Sequence, residues 1–464
     1  MKKFDWVDFL KKLAVIAIPI ALQNLLTTTG SMIDTIMIAP LGQDYVGAVG
    51  LCAQYSTLMF SSYWGFVGGG MLFFAQFWGA KDDDGIDRAY GITLTCMMFV
   101  AFLFASLAIF MPGKIMSVYT DKTELGTIGI SYLKLVGFSY IFSVLSMAVS
   151  ALLRSTERVK IPLFASIVSV FTNIFLNWVF IYGHLGFEPM GVRGAALATL
   201  CASFVNAVTL FVLAGCAKYP YLFHIKKFFC WSGGWLKSYF AKCFPIICNE
   251  LLIGVGNLVI NVVLGHQSQD AIAAVAVFRT LEGLVIGFFA GFSNAASVLV
   301  GKCVGEGALE TAYERAKRLI YCCQAVIFLL GAALISLNYP ILSAMGLSGE
   351  AYRIGRGLLI IYCAVAVIRM GNWIQNDTYR SAGDSSFGTI LEIVFMYVCV
   401  LPCLLVSNYV LKSPFFIVFV CCYIDEPIRY ILMQVHLYSG KWIKPVTPQG
   451  KLALEEFRRK RSGN

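Results

Sequence analysis

Apolar residues run in long blocks separated by short polar breaks. Twelve blocks are long enough to cross a bilayer: approximately 13 to 38, 45 to 78, 89 to 112, 126 to 153, 161 to 182, 192 to 215, 238 to 264, 270 to 301, 316 to 338, 350 to 378, 388 to 411 and 414 to 437. A hydrocarbon core about 30 Å thick takes roughly 20 residues as a helix, and a helix satisfies its own backbone without closing a barrel. The pattern predicts twelve transmembrane helices. The second and eighth blocks exceed one crossing and are expected to tilt or to extend past the bilayer. At the start, MKKFDWVDFLKKLAV places Lys11 and Lys12 before a run too long for a signal-peptide core and without an A-x-A site, so the first helix is expected to be retained.

Composition agrees with this class: 58% of residues are hydrophobic, 13% are charged and the mean hydropathy is +0.75. Charge then sets the orientation. With the amino terminus inside, 26 of the 36 Lys and Arg fall on inner segments, whereas the outer side has Lys114, Lys122, Arg193 and Lys412, with Arg353 and Arg356 near a helix end. Positive charge is retained on the cytoplasmic side, so both termini are expected there. The net charge of +10, including the tail RRKRSGN, is a mark of topology and gives no reason to expect a nucleic-acid partner. The fifteen cysteines sit mostly inside apolar runs, as Cys96, Cys201, Cys322 and Cys323 do, and there are four His and no paired CxxC. Buried thiols of this kind act as small hydrophobes. Neither a metal centre nor a nucleophile-and-base signature is evident, so no cofactor and no enzymatic activity are expected.

The chain also repeats itself. IPIALQNLL with Pro19 pairs with FPIICNELL with Pro245, QDYVGAVGL with QDAIAAVAV, AQFWGAKDD with GKCVGEGAL, and LLRSTERVK with TYRSAGDSS, every pair at the offset that separates Pro19 from Pro245. Six helices per copy return the second in the same orientation as the first, the arrangement of parallel repeats in secondary transporters. The expected organisation is a six-helix lobe over 1–216, a cytoplasmic linker over 217–237, a second six-helix lobe over 238–440 and a cytoplasmic tail over 441–464.

Polar side chains within the spans follow helical spacing. Gln23, Thr27, Ser31 and Asp34 share one face of the first helix; Ser166, Ser169, Asn173 and Asn177 share one of the fifth; Glu250, Gly254, Asn257 and Asn261 share one of the seventh. Neutral seams serve as interhelical glue or as ligand contacts. A carboxylate at mid-bilayer costs roughly 2.5 to 3.5 kcal/mol, so Asp34 and Glu250 point to an ion or substrate path. Arg279 and Glu282, one turn apart, are expected to neutralise each other. Glu392, Asp425, Glu426 and Arg429 lie near inner helix ends, a placement that suits interfacial charge or chemistry, and Lys134 and Arg369 can snorkel or line a cavity. The aromatics, 14% of residues, can pack, face lipid or line a cavity for flat organic cations.

Several of these stretches together carry a family likeness. PIALQNLL, with Gln23 and Asn24, MIDTIMIAPLG, GAVGL, AQFWGAKD, LLRSTERVKIPL, NIFLNWVFIYG, MGVRGAALAT, NELL with GFSNAASVLVGKCVGEG, and RSAGD occur in order from about residue 12 to 445 and resemble the MATE (multidrug and toxic compound extrusion) transporters, nearest their bacterial NorM-like branch. The resemblance implies an all-α integral membrane protein of twelve helices in two pseudo-symmetric lobes. It also implies a monomer of the bacterial inner membrane that exports amphipathic, cationic or aromatic small molecules against inward H+ or Na+. Asp34 falls on the family's first-helix acid and Glu250 on its seventh-helix acid. Asn173 matches an amino-lobe polar position, and Asn177 stands where some members have a second Asp. In the tenth helix, where NorM-like members can carry a further acid, the aligned stretch IRMGNW offers Arg369 and Asn372 and no acid, which shifts the expected coupling toward Asp34. Export or flipping of a lipid-linked precursor is the alternative that a related fold implies.

Overall fold

In the computed structural model, which describes residues 5–462, helices make up most of the chain, with no strand among the described residues. Among the described residues, eleven helices are long and apolar enough to cross a membrane. They are α1 (Trp6–Ile38), α2 (Gln43–Ala80), α3 (Asp83–Phe110), α4 (Thr123–Ser155), α5 (Lys160–Tyr182), α6 (Val192–Cys216), α7 (Gly233–Gly265), α8 (Gln269–Gly305), α9 (Leu309–Ser336), α10 (Gly349–Ser381) and α11 (Phe387–Val410). The twelfth expected span is broken into α12 (Phe415–Cys421) and α13 (Glu426–Ser439), and a tail helix, α14 (Pro448–Ser462), follows.

The break has a local cause. Pro427 occupies the first turn of α13 and has no N–H to give to the carbonyl of Tyr423. Residues 422–424 turn instead on bonds to the third residue back, from Cys422 to Phe419, Tyr423 to Val420 and Ile424 to Cys421. In α11, two stretches wound as π-helix, Met396–Val400 and Val406–Val410, flank Pro402.

At 38 and 37 residues, α2 and α8 are about 57 and 56 Å long. Both exceed a bilayer core, as the length of their apolar runs predicts. Large apolar side chains such as Phe99, Phe110, Phe171, Leu258, Phe328 and Val435 are more than half exposed on the helix surfaces, where lipid tails take the place of water. Between helices the packing uses small residues: Ala101, Ala105 and Ala108 of α3 are fully buried, and Gly137 of α4 faces Ala108.

The chain forms two compact units. One comprises Ile18–Phe74 and Asp82–Phe240; the other comprises residues 5–17, Ala75–Lys81 and 241–462. Three long helices pass from one unit to the other: α1 beside Pro19, α2 between Phe74 and Ala75, and α7 a few residues before Pro245, the repeat mate of Pro19. Within the second unit the ends of α2 and α8 cross with a reciprocal pair of glycines. A Cβ on Gly79 would stand 2.0 Å from the carbonyl oxygen of Lys302, and one on Gly305 would stand 1.9 Å from that of Gln76. Lys302 is the repeat equivalent of Gln76, as Gly305 is of Gly79, so the crossing itself obeys the repeat. Gln76 is fully buried there, donating to the carbonyl of Ser381 at 2.8 Å and accepting from the amide of Val446 at 2.8 Å. It fixes the end of α10 and the start of the tail.

Candidate functional site

In the first unit, the ends of α1, α5 and α6 are held together by Ile38, Ile181, Val192 and Ala195. That packing sets Asp34 against α5, where the amide nitrogen of Asn177 donates to its Oδ1 at 2.6 Å and also reaches Asn173 Oδ1 at 3.2 Å. Asn177 is fully buried, and its own side-chain oxygen has no hydrogen-bond partner. Asp34 makes no ion pair among the described residues. It lines a cavity of about 200 Å³ together with Ser31, Thr35, Tyr132 and Thr199, whose other walls are apolar.

The seam of α1 resolves into separate parts. Gln23 lies in a second cluster, donating to Ser166 Oγ at 2.8 Å and accepting from Arg154 Nη2 at 2.7 Å, with all three side chains buried. Thr27 turns back to the carbonyls of Gln23 and Asn24, and Thr28 also bonds to that of Asn24. On α5, Ser169 donates to the carbonyl of Ala202 at 3.0 Å and serves as glue to α6.

The second unit holds a larger constellation. Arg380, near the end of α10, donates to Asn249 Oδ1 at 2.7 Å and lies 3.6 Å from Glu250 and 3.5 Å from Asp377. Ser293 of α8 donates to Asp377 as well. Asn249 and Asn376 both donate to Glu392 Oε2, at 3.2 and 3.1 Å. Glu392 lies 3.9 Å from Arg429, which meets Asp425 and Glu426 at 3.1 Å each. Arg369 joins Glu426, at 3.7 Å, to Glu282, and Glu282 pairs with Arg279 at 2.6 Å, whose other branch donates to Asn261 at 3.2 Å. Asn257, Arg279, Arg369, Glu392, Asp425 and Arg429 line a cavity of about 250 Å³ at this network.

The break between α12 and α13 supplies part of the wall. Asn372 donates to both the carbonyl and the carboxylate of Glu426, at 3.0 and 2.7 Å, and the guanidinium of Arg369 stands 5.2 Å from the centre of the Tyr423 ring. Unwound backbone opening onto a cavity between helix halves is tolerated in a membrane because the cavity and neighbouring side chains satisfy it. The network sets six carboxylates against four guanidinia, so with every group ionised it carries two excess negative charges. A buried excess of that kind draws in protons or small cations.

The pairing of Arg279 with Glu282 is present as expected, with Arg369 added. Sequence reasoning missed Asp377, an acid of α10 that lies just beyond IRMGNW, in WIQNDTYR. Spacing could have found it, because Asp377 and Arg380 are one turn apart at the end of the same apolar run. The joining of Glu392, Asp425, Glu426 and Arg429 into one cluster had no signal in spacing, since it depends on how α7, α10, α11 and α13 pack.

The MatE family model matches the chain twice, over residues 19–179 and 245–406. The chain belongs to the MatE family. The two matches begin at Pro19 and at Pro245, in the register of the repeat. The likeness extends to the probable multidrug resistance protein YoeA of Bacillus subtilis, 23% identical over 87% of this chain and 88% of that protein. A probable multidrug resistance protein NorM of Agrobacterium fabrum is 24% identical over 72% of this chain and 71% of its own length. Among solved structures, a MATE crystallised in complex with MaL6 superposes with a TM-score of 0.83 at 18% identity, covering 95% of this chain and all of that one. This MATE protein is therefore a multi-pass membrane transporter with the family's two-lobe helical fold; Asp34, Asn177, Glu250, Asp377 and Glu392 lie within the two matched stretches, and Asp425, Glu426 and Arg429 lie beyond the second.

Proposed function

We propose that this transporter exports amphipathic organic molecules, cationic or aromatic in character, in exchange for inward H+ or Na+. In this reading it is a monomer of the bacterial inner membrane, with both termini and the 217–237 linker on the cytoplasmic side. The observation that carries the coupling is the excess of carboxylates over guanidinia in the second unit, where Glu250 and Asp377 share Arg380. Taking up protons or sodium ions there neutralises charge that the bilayer cannot solvate. Asp34, held by an uncharged amide at the wall of an apolar cavity, is a second acid that a proton, a sodium ion or a cationic substrate can neutralise. Exchange follows when substrate and coupling ion favour different states of these acids, since a ligand shifts an equilibrium only by its differential affinity. The multidrug names of the relatives support the substrate class.

Efflux from proteoliposomes under separately imposed pH and sodium gradients tests this reading. A folded Asp34→Asn or Glu250→Gln variant is expected to lose gradient-driven efflux. Wild-type-like efflux in both would remove the two acids from the mechanism.

One observation favours a second reading, transport of a lipid-linked precursor. Three arginines, Arg279, Arg369 and Arg429, line the larger cavity and could meet an anionic headgroup. Each is already paired with a carboxylate, which weighs toward the first reading. Gradient-independent movement of a lipid pyrophosphate would favour the second.

A further inference from the structure

Where the end of α13 meets the tail helix α14 lies an open cavity of about 720 Å³ that the transport reading does not use. Its walls include His436, Lys441, Lys444, Phe457, Arg458 and Arg461, with no Asp or Glu among the residues that line it. The frame is rigid. Trp442 and Ile443 are fully buried, Trp442 donates to the carbonyl of Leu437 at 3.0 Å, and the amide of Lys444 donates to the carbonyl of Ala382 at 2.9 Å. Thr447 donates to the carbonyl of Gly305 at 2.8 Å and fixes the start of α14.

The basic side chains around this cavity are unequally committed. Lys444 and His436 both meet the buried Asp384, at 3.0 Å each. Lys441 and Arg458 are exposed and form no ion pair among the described residues. Arg461 is held by the ring of Tyr313, 3.8 Å from its guanidinium, and by one bond to the carbonyl of Tyr438, while its buried Nη1 has no hydrogen-bond partner. A Cβ at Gly440 would come within 3.2 Å of that nitrogen, so the glycine keeps the space beside it clear. A fixed guanidinium with an unused donor, two uncommitted cations and no carboxylate in the wall make a receptor for a multivalent oxyanion.

We propose that this cavity binds a phosphate-bearing anion, with Arg458 as the forked donor, Arg461 adding the one donor of its guanidinium left unused, and Lys441 as the mobile counter-charge. The phosphate can belong to the headgroup of an anionic lipid or to a soluble organophosphate, and a basic pocket beside the spans suits either.

Pyrophosphate binding to the full-length protein in a neutral detergent, together with its thermal midpoint in nanodiscs of phosphatidylcholine with or without phosphatidylglycerol, distinguishes the sources. The principal variant is Lys441→Gln/Arg458→Gln, which removes no ion pair among the described residues; the control is Lys226→Gln/Lys237→Gln, which likewise removes two exposed charges and no such pair. Saturable pyrophosphate binding that weakens roughly tenfold in the principal variant and not in the control supports a site for soluble phosphates. A midpoint raised by phosphatidylglycerol in the wild type and control but not in the principal variant, without pyrophosphate binding, supports a headgroup site. The proposal is overturned if neither ligand has an effect, or if the control loses the effect as fully as the principal variant.

Discussion

Arg380 donates to the side-chain oxygen of Asn249 at 2.7 Å, and at the equivalent positions of the first repeat Arg154 donates to that of Gln23 at 2.7 Å. The correspondence goes one step further. Gln23 donates to Ser166, and Asn249 donates to Glu392, which is the repeat equivalent of Ser166. Both halves thus keep the same buried relay from guanidinium to amide to acceptor, and the second half has a carboxylate where the first has a hydroxyl. The repeat provides a common scaffold, and the carboxylate of the relay is confined to one copy.

The relay predicts unequal costs. Arg154→Gln removes a bond to a neutral amide, and the expected loss of stability is about 1 to 3 kcal/mol. Arg380→Gln leaves Glu250 and Asp377 without their shared cation, for which about 3 to 5 kcal/mol is expected. Thermal unfolding of the two variants in the same detergent checks the order; equal losses would show that Arg380 is not neutralising the acids.

The reciprocal glycines predict a sharp contrast between positions. Gly305→Ala would press a methyl carbon onto the carbonyl of Gln76, and Gly79→Ala onto that of Lys302. Either substitution should sharply reduce the yield of folded protein. Gly254→Ala has open space around the new carbon, so it should be tolerated and can gain up to about 1 kcal/mol from helix propensity. Size-exclusion profiles and thermal midpoints of the three variants make the comparison.

Outside the spans, Asp384 predicts a pH dependence. Burial opposes its ionisation, but the bonds from His436 and Lys444 outweigh it and hold the carboxyl below its ordinary value of 3.8. A depressed folded-state value means that the ionised carboxylate contributes its full stability above the unfolded value and loses it as pH falls through the folded one. Asp384→Asn should therefore lower the thermal midpoint at neutral pH and flatten its decline below about pH 4. A parallel decline in wild type and variant would place the acid sensitivity elsewhere.

The twelve spans and the repeat were legible in the sequence because bilayer thickness and helical rise set the length of an apolar run, and a constant offset between copies survives loss of identity. Asp34 and Glu250 stood out because ionisable groups are rare in such runs. Two things were not legible. The seam of α1 looked continuous, but helical spacing reports a shared face and not a shared partner, so Gln23 and Asp34 went to different neighbours on α5. For Asp425 and Glu426 the sequence left interfacial charge and chemistry both open; Pro427 and the broken helix draw them into the wall of the cavity, a consequence of tertiary packing.

The same packing puts Glu250 and Asp377 on one guanidinium, and this yields the most discriminating prediction. If the pair were a structural salt bridge, Asp377→Asn would leave a buried cation undercompensated and destabilise the protein about as much as Arg380→Gln. If the pair is the place where the coupling cation is exchanged, one acid is in excess of what Arg380 can neutralise. Asp377→Asn then removes repulsion as well as attraction, and the thermal midpoint should stay near that of the wild type while gradient-driven efflux falls roughly tenfold or more. Glu250→Gln should behave alike, and the double variant should be no worse than the worse single one, because groups that act as a unit are not additive. Thermal unfolding and proteoliposome efflux of the three variants decide it: a large stability loss with efflux retained would assign the pair to structure.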